Sequence, residues 1–165
     1  MMTRGILNST KLGLLVAVLA GAWGCKDPDY DGNREKDAAT GHRPSQIEWG
    51  VIFLEGNKEK YPQDSAKAAQ WFELAGTATN YTVKSGESRW QVNNRFGIPL
   101  ELIREANPEV DMNRIKGGEE ILIPGARIAQ FNLGMLYEQG KGVKKDHKRA
   151  ADWHLLAADA GLADA

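Results

Sequence analysis

Two stretches of this chain repeat each other, and that limits the fold more than any other feature. Residues 45–76, SQIEWGVIFLEGNKEKYPQDSAKAAQWFELAG, share an ordered set of positions with residues 129–161, AQFNLGMLYEQGKGVKKDHKRAADWHLLAADAG. Gln46, Gly50, Gly56, Asp64, Ala68, Ala69, Trp71 and Ala75 match Gln130, Gly134, Gly140, Asp146, Ala150, Ala151, Trp153 and Ala157. The offset is 84 residues for the first three pairs and 82 for the rest, so the copies differ by two residues in one internal loop. Self-similarity of this kind points to stacked supersecondary units, each unable to bury its apolar face alone.

Each copy has the pattern of a helical hairpin. Phe131, Leu133, Leu136 and Tyr137 fall close to i, i+3, i+4 spacing, which draws an apolar stripe along a helix. Gly134 allows a partner helix to come close, and Gly140 and Gly142 end the first helix and shape the loop. Asp146 stands where it can cap a second helix carrying Ala150, Ala151, Trp153, Leu156 and Ala157. Trp71 and Trp153 are expected to pack between helices, and Leu155, Leu156 and Leu162 to leave an exposed apolar edge. The units, 45–77 and 128–165, resemble Sel-one-like repeats, short helical repeats related to tetratricopeptides. That resemblance implies an α-solenoid surface that holds protein partners. A repeat of this kind spans roughly 36 residues, so roughly 46 have been inserted between the copies.

The insert has a different grammar. YTVK is a β-branched strand, and SGES is a turn leading into a helix cap. Trp90, Val92 and Phe96 follow on a short helix closed by Gly97, and Pro99 opens a second helix, LELIREAN, which Asn107-Pro108 ends. A long turn, EVDMNRIKGGEE, then reaches ILIPG, an apolar strand able to pair with the first. Strand, helix, helix, strand brings both chain ends side by side, so the unit fits into a loop of a host. The fold expected is mainly α, two solenoid-type hairpins with a small α+β (βααβ) unit between them. YTVKSGES, the Trp, RFGI, the L-x-x-I-x-x-AN run and ILIPG make residues 80–125 resemble a LysM domain. The resemblance implies binding of N-acetylglucosamine polymers, peptidoglycan or chitin, in a shallow groove between two loops. Carried over, the groove takes in Gly86, Glu87, Ser88 and Arg89 on one side, with Asn107, Pro108, Asn113, Arg114 and Ile115 on the other. Arg89 replaces the family's usual aliphatic residue. Asn93 replaces a small apolar one, and buried without a partner it would cost on the order of 1 to 3 kcal/mol. Trp90 is expected in the core beside Val92 and Phe96.

The N-terminus reads as a targeting segment. Residues 1–24 carry Arg4 and Lys11, no acid, and a 12-residue apolar run, LGLLVAVLAGAW, too short to span a bilayer comfortably as a helix. Cys25, the single cysteine, cannot form an internal disulfide. GAWGC resembles a bacterial lipoprotein signal, which implies lipidation of Cys25 and a membrane anchor, with Lys26 favouring the outer membrane and its periplasmic face. An ordinary cleaved signal with a bystander Cys, or an uncleaved anchor, are the alternatives. Residues 25–44, charged and poor in large aliphatics, read as a flexible tether.

Lys and Arg number 21 against 22 Asp and Glu, with no basic stripe interleaved with aromatics, so nucleic acid is not an expected partner. His147 and His154 lack a cysteine or carboxylate cluster, so no metal site is expected, and nothing calls for a cofactor. Glu87 and Glu109 could suggest a hydrolytic carboxylate pair, but both lie in turns of a binding-type module. The function expected is non-enzymatic: a lipid-anchored envelope protein that grips glycan and presents helical repeats to a protein partner. The alternative is an interaction scaffold whose insert binds no sugar. Replacing Cys25 with Ala is expected to move the protein from the membrane to the soluble fraction and to abolish labelling by a fatty-acid probe. Unchanged membrane partition would point to an uncleaved anchor.

Overall fold

A computed structural model describes residues 34–56 and 60–159. Its elements in chain order are α1 (Arg34–Ala39), α2 (Arg43–Glu55), α3 (Ser65–Gly76), β1 (Thr79–Thr82), α4 (Arg89–Phe96), α5 (Leu100–Glu105), β2 (Glu120–Ile123), α6 (Arg127–Gln139) and α7 (His147–Ala157). The protein is mainly helical, with hairpins α2–α3 and α6–α7 flanking a βααβ unit. Both hairpins close by the same bonds. Asp64 and Asp146 cap α3 and α7 by accepting from the amides of Lys67 and of Lys148 and Arg149. The amide of Asp64 donates to the Phe53 carbonyl at 2.7 Å, and that of Asp146 to Tyr137 at 3.0 Å, the equivalent residue. The two extra loop residues of the first copy therefore leave its closure unchanged.

Within each hairpin the helices meet at a glycine. A Cβ on Gly50 would lie 2.5 Å from Cε1 of Phe72, and one on Gly134 would lie 2.7 Å from Cε1 of His154. Phe72 and His154 occupy the same repeat position, so each first helix receives a ring from its second helix at the one residue without a side chain. Between hairpins, α3 packs on α6. The Gln130 amide donates to the Gly76 carbonyl at 2.9 Å, and the Gln46 amide donates to the Ala38 carbonyl at 3.0 Å. Helix α1 thus stands against α2 as α3 stands against α6, with Ala38 buried.

The insert loops out at the junction of α3 and α6 while the hairpins stay in contact. The Ala126 amide donates to the Ala75 carbonyl at 2.8 Å, and a Cβ on Gly125 would collide with the Gly76 carbonyl oxygen, so the two chain ends touch backbone to backbone. Strands β1 and β2 pair antiparallel, Thr79 opposite Ile123 and Tyr81 opposite Ile121. One apolar cluster runs from Leu54, Phe72 and Ala75 through Ala129 and Leu133 into Val83, Val92, Ile103 and Ile123. Arg43, at the start of α2, is 2% exposed and spans the junction: its guanidinium donates to the carbonyls of Thr77, Ile123 and Pro124 and lies 5.5 Å from the Phe96 ring centroid.

Three expectations are corrected. The tether does not reach residue 44: residues 34–39 are helical and Arg43 is a buried strut, because that segment docks as part of the repeat array; residues 25–33, Cys25 and the apolar run lie outside the described residues. The first strand starts at Thr79 rather than Tyr81, since the clamped junction brings the chain ends into pairing at once. Trp90 is 48% exposed. It precedes Val92 by two residues, about 200° around the helix, so it faces away from the stripe of Val92 and Phe96. Asn93 finds a partner, donating to the Ile98 carbonyl. Leu155 and Leu156 are exposed, and Leu162 lies outside the described residues. Leu74, the repeat equivalent of Leu156, is also exposed, although the next hairpin covers α3.

The paired glycines should differ in tolerance. Phe72 is fully buried, whereas His154 is half-buried, its ring set edge-on to Phe131. Gly50→Ala is expected to lower stability by about 1 to 3 kcal/mol through overpacking. At Gly134 the roughly 0.5–1 kcal/mol helical advantage of Ala should nearly offset the contact. Urea denaturation of both variants checks the order, and equal losses would mean that His154 is held as firmly as Phe72.

Candidate functional site

Two loops of the βααβ unit lie side by side. The first, 84–88, joins β1 to α4; the second, 106–119, joins α5 to β2. Backbone bonds tie them where they leave the sheet: the Val83 amide donates to the Glu119 carbonyl at 2.9 Å and the Gly118 amide to the Val83 carbonyl at 2.8 Å. Gly117 lies directly on Ser85, where a Cβ would come within 2.6 Å of Cα. Farther out, the Arg89 guanidinium donates to Oδ1 of Asn113, bridging the loops. The Asp111 carboxylate accepts from the Asn113 amide at 3.0 Å and so folds the tip of the second loop.

The nine residues expected to take a ligand divide into two groups. Gly86, Ser88, Arg89, Pro108, Asn113 and Arg114 are exposed, and Ile115 is half-buried and packs against the apolar core. Ser88 has a second duty, since its hydroxyl and the Gln91 side chain form a capping box that starts α4. Glu87 and Asn107 are buried and form the frame. Asn107 staples its loop to β2: its side-chain amide donates to the carbonyls of Ile103 at 2.6 Å and Leu122 at 2.7 Å, and its oxygen accepts from the Leu122 amide at 2.7 Å. Glu87 accepts from the Tyr81 hydroxyl at 2.6 Å, the Lys84 amide at 3.0 Å and Nε of Arg95 at 3.4 Å. Glu87 and Asn107, expected among the ligand contacts, have their side chains buried in bonds that support the two loops. Sequence patterning gave no sign of Arg43, Tyr81 or Arg95 as part of the site; the i, i+2 alternation of Tyr81 and Val83 was the available hint for Tyr81.

Family models match the chain in three places. The Sel1 repeat matches residues 43–80 and 127–162, and the LysM domain matches residues 81–124. Residues 43–162 carry a LysM domain set between two Sel1 repeats. No curated protein and no solved structure matches it. LysM domains suggest glycan binding and Sel1 repeats suggest protein interaction, so these are binding and repeat modules rather than catalytic ones. The LysM match covers both loops, and the Sel1 match begins at Arg43, the residue that crosses from the first repeat to the LysM stems.

Burial, and then the bond to Glu87, push the Tyr81 hydroxyl up to about 12. A folded value above the ordinary 10 means the folded LysM domain holds that proton more tightly than the unfolded chain. The stabilisation is complete below pH 10 and is lost as pH rises through about 12. Unfolding free energies measured in denaturant at several pH values should therefore fall more steeply between pH 10 and 12 for the wild type than for Tyr81→Phe. Parallel curves would show that Tyr81 titrates alike in both states.

Proposed function

We propose that this protein is a non-catalytic component of a bacterial cell envelope. It binds N-acetylglucosamine-containing glycan, peptidoglycan in the first place, in the groove between loops 84–89 and 106–115, and holds a protein partner on its Sel1 repeats. The observation that carries this reading is the pair of loops within the LysM match, pinned to each other at their roots, with Gly86, Arg89, Asn113 and Arg114 exposed and Ile115 half-buried. N-acetyl sugars present amides and hydroxyls to small polar groups and a methyl to an apolar floor, so a shallow site with no reactive side chain serves them. Lipidation of Cys25 would keep the LysM domain near the wall at high effective concentration, which suits a site of modest affinity.

A second reading draws on one contact. The Arg89–Asn113 bond crosses between the loops and occupies polar groups that a sugar would otherwise meet. If it persists, the LysM domain is a docking element of an interaction scaffold and the helices carry the function.

Co-sedimentation with insoluble peptidoglycan, chitin alongside, separates the two. Protein lacking its first 25 residues is expected to pellet with peptidoglycan, and the double variant Arg89→Ala with Asn113→Ala to bind at least about tenfold more weakly, or ~1.4 kcal/mol. Absence of binding by the wild type would leave the scaffold.

A further inference from the structure

The turn at 84–88 is not held by the LysM domain alone. Glu87, at its centre, is fixed by the Tyr81 hydroxyl, the Lys84 amide and Arg95. The Tyr81 ring stands edge-on to Phe96, centroids 5.0 Å apart at 73°. Phe96, 5% exposed, in turn meets the Arg43 guanidinium at 5.5 Å. Arg43 belongs to the first Sel1 repeat and also bonds to the carbonyls of Thr77, Ile123 and Pro124, the stems from which the LysM domain springs. From α2 to the turn, every member of this series touches the next, and Phe96 and Tyr81 belong to the apolar core.

We infer that Arg43 is a positioning residue for the glycan groove, so that the first Sel1 repeat sets the shape of a loop in the neighbouring LysM domain. The inference rests on the groove reading proposed above. Arginine suits the role because its planar fork reaches several carbonyls at once while its face lies against a ring; lysine offers a single compact ammonium and no such fork. The hydrogen bonds of the Arg43 guanidinium go to backbone oxygens of the two stems, and Phe96 lies against its face, so these groups set its geometry. Arg43 belongs to α2, so a shift of α2 relative to those stems draws its guanidinium off the Phe96 face and loosens Phe96, then Tyr81, then Glu87. A protein partner that moves α2 on binding the repeats changes the affinity for glycan, and glycan changes the affinity for that partner by the same factor.

The test uses the full chain and compares wild type with Arg43→Met, Arg43→Lys, Tyr81→Phe and the Arg43→Met/Tyr81→Phe double variant. Two quantities are read at a temperature where thermal unfolding shows each variant folded. One is affinity for a soluble N-acetylglucosamine oligomer. The other is the chemical shift of the Lys84 amide, which donates to Glu87 and reports the turn without ligand. Arg43→Met and Tyr81→Phe are each expected to weaken binding about threefold or more. The double variant should lose no more than the worse single one, because both act through one series of contacts. The Lys84 amide should move in each. A folded Arg43→Met that binds as wild type with its Lys84 amide unmoved overturns the inference. Should Arg43→Met not fold, Arg43→Lys takes its place: weaker binding with a shifted Lys84 amide supports the inference, and wild-type behaviour in both overturns it. Should the wild type take up no oligomer, the groove reading fails, and an unmoved Lys84 amide then sinks the positioning claim separately.

Discussion

The structure depends on one buried guanidinium. Arg43 is almost wholly removed from water, and desolvation lowers its pKa to about 10, which still leaves it charged at neutral pH. A buried cation costs several kcal/mol unless hydrogen bonds and dipoles answer it. Here the carbonyls of Thr77, Ile123 and Pro124 do so, with the Phe96 ring on one face. Those oxygens come from both stems of the LysM domain, so satisfying the charge and fastening the insert are one event. Hydrogen bonds to charged groups contribute about 1.5–3 kcal/mol each, enough to offset the burial only if the stems stay where they are.

That clamp explains how a repeat array tolerates a domain in its middle. An insertion between hairpins threatens the packing of one repeat on the next, since each buries its apolar face only against a neighbour. Backbone contact between Gly76 and Gly125, with the Ala126–Ala75 bond beside it, returns the chain to the point it left. Gln130 then reaches the Gly76 carbonyl as Gln46 reaches Ala38, across an uninterrupted turn. Helix α6 therefore meets α3 as α2 meets α1, whether a few residues or a whole LysM domain intervenes. The shared core follows from this, and so does the proposed dependence of the 84–88 turn on a residue of the first repeat.

Legibility in the sequence followed the range of the interaction involved. Helix caps by Asp64, Asp146 and Ser88, the Gly97 stop and the close-approach glycines Gly50 and Gly134 each depend on a few neighbouring residues or on a repeat that displays the same solution twice. All were readable. At the candidate site Arg89 and Asn113 meet across the two loops, whereas Glu87 and Asn107 turn inward. Whether a polar side chain in a turn faces solvent or staples the turn depends on donors elsewhere, Tyr81 and Arg95 in one case and Leu122 in the other. Trp90 faces solvent for a simpler reason: it stands about 200° around the helix from Val92.

By itself the sequence determined the repeat, the helical hairpins, the βααβ insert and the place where one interrupts the other, because periodicity, capping and turn chemistry are local and recur in the chain. Tertiary structure alone decided that α1 joins the array, that Arg43 is a strut rather than part of a tether, and that insert and repeats share one core. Arg43 stands in a charged, polar stretch, and among the described residues its guanidinium has no local partner. Its meaning comes from carbonyls 34, 80 and 81 residues away, which only the folded chain brings to it.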